Sequence, residues 1–110
     1  MSGPRPTARE RLPDRRASMI FDFDAGGLKY TASFSRFPDG RIGELFLNNH
    51  RSSSAADTNA RDTAIACSFA LQHDANFEAI RRALSRDGQG RALGPLGTAM
   101  DIIFERERDR

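Results

Sequence analysis

The first half of the chain shows a two-residue alternation of hydrophobic and polar positions. Residues 19–24 and 28–37 have the alternating pattern of a half-buried β-strand, and residues 42–47 are predicted to form a third strand. An Ala-Gly-Gly turn at residues 25–27 and a Pro-Asp-Gly turn at residues 38–40 separate these stretches. Because two short turns join three strands, the sequence predicts an antiparallel meander.

A helical period replaces the alternation after a polar segment. Ser54 or Asp57 is a suitable N-cap, and the helix is predicted to extend to His73. Apolar residues between positions 64 and 71 occupy most faces of this helix, so it is predicted to be buried on more than one side. It would then lie between the sheet and another helix, or in a subunit interface. The residues at helical spacing are Ala56, Ala60, Ala64, Cys67 and Leu71.

Two further helices are predicted in the C-terminal third. One starts at a cap provided by Asp74 or Asn76 and ends at Ser85, and another starts at Pro95. The glycine-rich segment 87–94 between them is predicted to be a turn after a helix end. The fold class is therefore α+β, with a three-stranded antiparallel meander followed by two to three helices packed on one face of the sheet.

The length of 110 residues predicts one domain. We place it at residues 18–104. Residues 1–17 are rich in arginine and proline without a periodic pattern, and they are predicted to form a disordered arm. Residues 105–110 alternate in charge and are predicted to fray.

The charge composition argues against a nucleic-acid-binding surface. The chain has seventeen basic residues, of which only Lys29 is a lysine, against fifteen acidic residues interspersed among them. A surface of mixed sign lacks the basic stripe that nucleic-acid binding requires. A nucleotide or nucleic-acid binder that uses the arginine-rich arm is the alternative.

Several classes of site are excluded by residue type. Cys67 is the only cysteine, so neither an internal disulfide nor a cysteine-based zinc site can form, and no metal or cofactor is predicted. Cys67 is predicted to be a buried packing residue, and His50 and His73 to be surface residues, so no catalytic residue is assigned. No apolar run reaches the roughly 20 residues of a membrane span. Residues 1–16 have no apolar core typical of a secretory signal, so a cytoplasmic location is expected.

One polar loop is a candidate anion-binding site. Arg51, Ser52, Ser53 and Ser54 precede the first helix, where free backbone N–H groups and hydroxyls could receive a phosphate or carboxylate. Arg91, near the start of a later helix, is a further candidate. Ordinary helix capping uses the same residue types and is the alternative interpretation.

Four short motifs occur in a characteristic order. They are Arg-Leu-Pro-Asp-Arg-Arg at 11–16, Asp-Gly-Arg at 39–41, Gly-Glu-Leu-Phe-Leu at 43–47 and Ser-Phe-Ala-Leu-Gln-His at 68–73. Together they resemble the C-terminal accessory region of vitamin B12-dependent (class II) ribonucleotide reductases, often called the TSCPD domain, and this chain is similar to free-standing bacterial versions of it. The Thr-Ser-Cys-Pro-Asp sequence is absent from this chain, and a single cysteine cannot provide the reductase's radical-forming cysteine and its C-terminal cysteine pair.

The resemblance therefore implies a non-catalytic accessory or interaction module rather than an enzyme. The alternative is a separately encoded component of an adenosylcobalamin-dependent ribonucleoside-diphosphate reductase, with the reductase large subunit as partner. Self-association is also expected, through the uncovered face of the first helix or through an edge of the sheet.

Overall fold

Three strands and three helices follow one another in this computed structural model, which describes residues 8–108. The strands form one antiparallel sheet in the order β1-β2-β3. This architecture confirms the predicted α+β fold class. The elements are β1 (Ser18–Ala25), β2 (Leu28–Arg36), β3 (Ile42–Asn49), α1 (Ala55–Gln72), α2 (Phe77–Ala83) and α3 (Pro95–Arg108).

The turn between β1 and β2 follows from its two glycines. Gly26 and Gly27 have φ values of 59° and 79°, which a residue with a side chain rarely adopts. Positive φ at both central residues gives a hairpin turn whose twist matches that of the strands. The predicted tight turn is confirmed, and it sets the register in which Phe23 pairs with Tyr30.

The hydrophobic core lies between one face of the sheet and the helices. The alternation predicted for β1 places Phe21 and Phe23 in this core, while Asp22 and Asp24 are exposed on the opposite face. The partly buried side chains of α2 pack against the edge of the same core. Residues contributed by β2, β3, α1 and α3 include Ala32, Phe34, Leu45, Leu47, Ala60, Ala64, Leu71, Met100 and Ile103.

Only one stripe of α1 is buried against the sheet, which corrects the prediction for this helix within the chain. Ile65 and Phe69 are 44% and 45% exposed, although the apolar pattern predicted that they were covered. The guanidinium of Arg9 lies over the Phe69 ring at 4.2 Å from its centroid. Burial of these residues in a subunit interface stays a prediction.

A bulge interrupts β3 at its first residues. Ser35 pairs with Glu44 but Arg36 pairs with Ile42, so Gly43 has no partner on β2. A Cβ atom at position 43 would lie 2.8 Å from the Phe37 ring, so any other residue there would require the ring to move.

The segment before β1 contacts the domain. Glu10 N donates to Gln72 O over 2.7 Å, and the Arg16 guanidinium forms a 2.8 Å ion pair with Glu44, which is buried. At the other end, α3 continues to Arg108, so residues 105–108 of the predicted tail are helical. Residues 1–7 and 109–110 lie outside the described residues, and the domain limits of 18 and 104 stay a prediction.

Between residues 8 and 108, no helix combines the length and the apolarity that crossing a membrane requires.

Candidate functional site

Polar side chains of α1 bind the outer edge of β3. Ser68 Oγ accepts a hydrogen bond from Leu45 N and donates one to Leu45 O, each over 2.8 Å. Gln72 Nε2 donates to Gly43 O over 2.9 Å. Both side chains are buried. Because Ser68 and Gln72 are four residues apart, they lie on the same face of the helix and reach the same strand edge.

Asp57 extends this series to the N-terminal end of the helix. It lies eleven residues before Ser68, close to three helical turns, and therefore on the same face. Its Oδ1 accepts from Asn49 N over 2.9 Å. The outer edge of β3 thus receives hydrogen bonds from α1 at both of its ends and in its middle.

The loop between β3 and α1, which contains the predicted anion-binding residues, forms a helix cap. Ser54 Oγ accepts from Asp57 N over 3.1 Å and donates to Arg51 O over 2.7 Å. Asp57 Oδ2 accepts from Ser53 N over 3.3 Å. The carboxylate of Asp57 therefore accepts the hydrogen bond from Ser53 N that an external anion at this loop would otherwise accept. Ser52 is exposed in the same loop.

Arg91 lies in a different part of the fold, in the turn between α2 and α3. Its guanidinium contacts Gln89 and lies 3.4 Å from Asp87. Asp87 Oδ1 accepts from the backbone N–H groups of Arg91 and Gln89, and these bonds lower the pKa of Asp87. The structure thus brings Arg51, Ser52, Ser53 and Ser54 together in one loop and places Arg91 in another, and anion binding by either stays a prediction.

Cys67 is buried, as predicted. It is 5% exposed, and burial raises the pKa of its thiol to about 11. The thiolate is the reactive form of cysteine, and at neutral pH it is a very small fraction of this side chain. Cys67 therefore acts as a packing residue of α1.

The two histidines have different environments. His73 caps the end of α1, and its Nδ1 lies 2.8 Å from Phe69 O. His50 Nε2 lies 2.8 Å from Thr31 Oγ1, which in turn donates to Asp22 Oδ1 over 2.6 Å. Both positions are exposed, as predicted.

The cluster of His50, Thr31 and Asp22 on the outer face of the sheet was not predicted. Pairing of Asp22 with Thr31 across the strands brings together residues that are far apart in the sequence, and no local pattern signals that contact. A metal site would need more ligands. Within the described part of the chain, no group of three or more His, Cys, Asp or Glu side chains could hold a metal ion.

A network of guanidinium and carboxylate groups ties α2 to α3. Asp101 Oδ1 lies 2.8 Å from both Arg81 Nη1 and Arg86 Nη2. Hydrogen bonds from Arg86, and secondly from Arg81, lower the pKa of Asp101. Glu78 pairs with Arg81, which lowers the pKa of Glu78. The network links these helices through partly buried charges.

Many arginines of the described residues are paired within the chain. Each of eight has a carboxylate within ion-pair distance, so the basic charge is largely balanced locally. They are Arg16, Arg36, Arg41, Arg81, Arg82, Arg86, Arg91 and Arg108.

A groove between the segment before β1 and the end of α3 has a basic rim. Arg15 is exposed there, and the Arg106 guanidinium lies over the Phe21 ring at 4.5 Å from its centroid. Apolar side chains and arginines therefore both line this groove, together with Glu107. Its lining includes Pro13, Arg15, Arg16, Met19, Pro38 and Arg106.

Comparison with known proteins gives one consistent similarity. The chain is 37% identical over 70 residues to a vitamin B12-dependent ribonucleotide reductase of Agrobacterium fabrum, and 35% identical over 65 residues to that of Bradyrhizobium diazoefficiens. A third, from Rhodopirellula baltica, is 33% identical over 72 residues. No protein-family model matches the chain, and no solved structure matches it significantly.

The similarity covers most of this chain but little of each reductase. The matched segments are 64%, 59% and 66% of this chain and 6%, 5% and 7% of the respective reductases. The chain is therefore similar to a small region of vitamin B12-dependent ribonucleotide reductases.

Proposed function

We propose that this chain is a non-catalytic accessory module of the TSCPD type, related to the C-terminal region of vitamin B12-dependent ribonucleotide reductases, and that it acts by binding a reductase large subunit. The observation that carries the proposal is the restriction of the similarity to about 6% of the length of the first reductase. A region of that size folds here into one sheet with its helices.

The roles of the motif residues support a structural module. In the Ser-Phe-Ala-Leu-Gln-His motif, Ser68 and Gln72 bind the backbone of β3. In the Gly-Glu-Leu-Phe-Leu motif, Gly43 forms the bulge and Glu44 pairs with Arg16. These residues maintain the fold, and their polar groups are used within it rather than presented to a substrate.

The chemistry of Cys67 supports the absence of catalysis. Radical-based reduction of a ribonucleotide needs a cofactor held over the substrate, a cysteine that forms a thiyl radical and further thiols that supply electrons. Cys67 is the only thiol of the chain, and it is buried with a raised pKa.

The surface charges favour a protein partner over a nucleic acid. Most non-specific nucleic-acid affinity comes from the counterions that are released when basic side chains neutralise phosphates. Arginines whose charge is already balanced by a carboxylate contribute little to that release. The groove beside Arg15 and Arg106 combines apolar side chains with a basic rim. Protein interfaces are typically built from an apolar centre and a polar rim, with arginine enriched.

Direct binding between purified proteins tests the proposal. The fluorescently labelled chain is titrated with a vitamin B12-dependent reductase and with the same reductase lacking the segment that matches this chain. We expect binding to the truncated reductase and weaker binding to the intact one, whose own module occupies the site. Arg15→Glu in the groove should reduce binding at least several-fold, and Arg51→Glu, an equal charge change on the distant loop, should not. Absence of binding to either reductase at high micromolar concentration would contradict the proposal.

The alternative, a separately encoded component of the reductase, predicts a gain of activity as well as binding. In that case the truncated reductase with adenosylcobalamin would reduce ribonucleotides faster when the chain is added. Binding without any change in rate would leave the interaction module as the function.

A further inference from the structure

The two outer edges of the sheet differ in how their backbone groups are satisfied. The edge of β3 receives hydrogen bonds from the α1 side chains Asp57, Ser68 and Gln72. β1 is the other outer strand, and among the described residues no further strand pairs with it. Within residues 8–108, side chains of α1 therefore cover one edge, and the other edge, formed by the eight residues of β1, is left open.

The register identifies the backbone groups at this open edge. His50 N donates to Lys29 O, so the backbone groups of Lys29 point towards β3. Because direction alternates along a strand, Tyr30, Ala32 and Phe34 point towards β1. Their partners on β1 therefore bond to β2, and the intervening residues of β1 point outwards. These outward residues are Ser18, Ile20, Asp22 and Asp24.

Apolar side chains are exposed along the same edge. Ile20 is 69% exposed and Met19 is 53% exposed. On the outer face, Ile20 pairs with Ser33, which pairs with Phe46, a residue that is also exposed. An open edge strand with exposed apolar residues is a template for pairing with another strand.

We infer that β1 pairs antiparallel with β1 of a second copy of this chain, about a twofold axis at Ile20, which joins the two sheets into one of six strands. Ile20 then stands opposite Ile20 of the second copy, as a hydrogen-bonded pair. The two Ile20 side chains then lie next to each other on the outer face of the combined sheet, and the row from Ile20 through Ser33 to Phe46 continues into the same row of the second copy.

The charges of β1 favour this register for a pair of copies. With the axis at Ile20, Ser18 stands opposite Asp22 of the second copy. An axis at Asp22 would place two carboxylates directly opposite each other, which is destabilising. An axis at Phe21 would place Ile20 opposite Asp22 of the second copy. The axis at Ile20 therefore matches apolar with apolar and leaves no carboxylate facing another.

This inference does not rest on the proposed binding to a reductase, and its experiment uses the chain alone. Sedimentation at high micromolar concentration should show a dimer for the wild-type chain. Ile20→Lys should be a monomer, because two lysines would meet at the axis. Ile65→Lys, a matched change at an exposed residue of α1, should remain a dimer. Circular dichroism checks that both variants fold.

Substitutions at Ser18 test the register without changing an apolar residue. Ser18→Lys should tighten the dimer and Ser18→Glu should weaken it, each by roughly two- to thirty-fold, because symmetry places two such pairs at the axis. A wild-type chain that sediments as a monomer would overturn the inference. So would an Ile20→Lys dimer, a monomer produced by Ile65→Lys, or equal effects of the two Ser18 variants.

Discussion

Ser68→Ala is expected to be strongly destabilising although it removes a single oxygen atom. That oxygen is the hydrogen-bond partner of both Leu45 N and Leu45 O, each at 2.8 Å. Leu45 is fully buried, so water does not reach these two groups. The variant leaves a donor and an acceptor unpaired inside the protein, which is among the costlier consequences of a small substitution.

The magnitude follows from those two groups. A buried donor or acceptor that loses its partner costs about 1–3 kcal/mol. Alanine has a higher helix propensity than serine, which offsets about 0.5 kcal/mol. We therefore expect the free energy of unfolding to fall by about 2–5 kcal/mol, and Tm to fall by more than about 10 °C for a domain of this size.

Urea unfolding followed by circular dichroism measures this loss, with the protein concentration held constant. The chain has no tryptophan, but buried Tyr30 provides a second optical probe. Thr63→Ala is the matched control, because Thr63 is exposed on the same helix and its hydroxyl bonds only to Asn59 O in the preceding turn. This control should leave stability unchanged or raise it slightly.

Hydrogen exchange at a single amide separates this explanation from a general loosening of the helix. In the wild-type chain the Leu45 amide should exchange slowly, and in Ser68→Ala its protection should fall more than that of amides that bond to β2. A loss of stability below about 0.5 kcal/mol with unchanged Leu45 protection would refute the reasoning, since such a small loss implies that the two groups find other partners.

Three further outcomes are expected. Cys67→Ala should lower the free energy of unfolding by about 1–2 kcal/mol and keep the fold. The native thiol should react slowly with a maleimide until denaturant is added. Rapid stoichiometric labelling of the folded chain would mean that Cys67 is exposed. Asp101→Asn should lower the free energy of unfolding by about 1–2 kcal/mol at neutral pH. Because the Asp101 pKa is lowered in the folded state, this difference from wild type should persist above the unfolded value of about 3.9 and shrink as pH falls below it; a pH-independent difference in urea titrations would argue against the ion pairs with Arg81 and Arg86. Asp74→Gly should raise the free energy of unfolding slightly, by about 0.5–1 kcal/mol, since Asp74 has a φ of 71° after the end of α1. An unchanged or lower Tm would show that the ion pair of Asp74 with Arg41, 3.6 Å apart, outweighs the strain.

The strands were predictable because their signals are local. Alternation and the turn at Gly26 and Gly27 fix which residues of β1 and β2 face the core. Helix periodicity likewise located α1 and its buried stripe of Ala60, Ala64, Cys67 and Leu71, but it did not predict which of the neighbouring residues are covered. Ile65 and Phe69 are more apolar than Ser68 and Gln72, yet the polar pair is buried and the apolar pair is exposed.

The reason for that reversal is a tertiary contact. Ser68 and Gln72 face inwards because the backbone of β3 has unpaired groups there, and hydrogen bonding to those groups compensates for burying polar side chains. A one-dimensional pattern contains no information on which strand edge a helix approaches. Of the two predicted N-caps, Ser54 is the cap, and the bond between Asp57 and Asn49 N depends on the same approach.

The unequal edges of the sheet also limit how far these chains can assemble. Cross-β fibres grow because every strand has a free edge on both sides, so each added molecule creates a new site for the next. In this chain α1 covers the edge of β3, so a pair formed through β1 has no free edge left, and growth stops at two molecules.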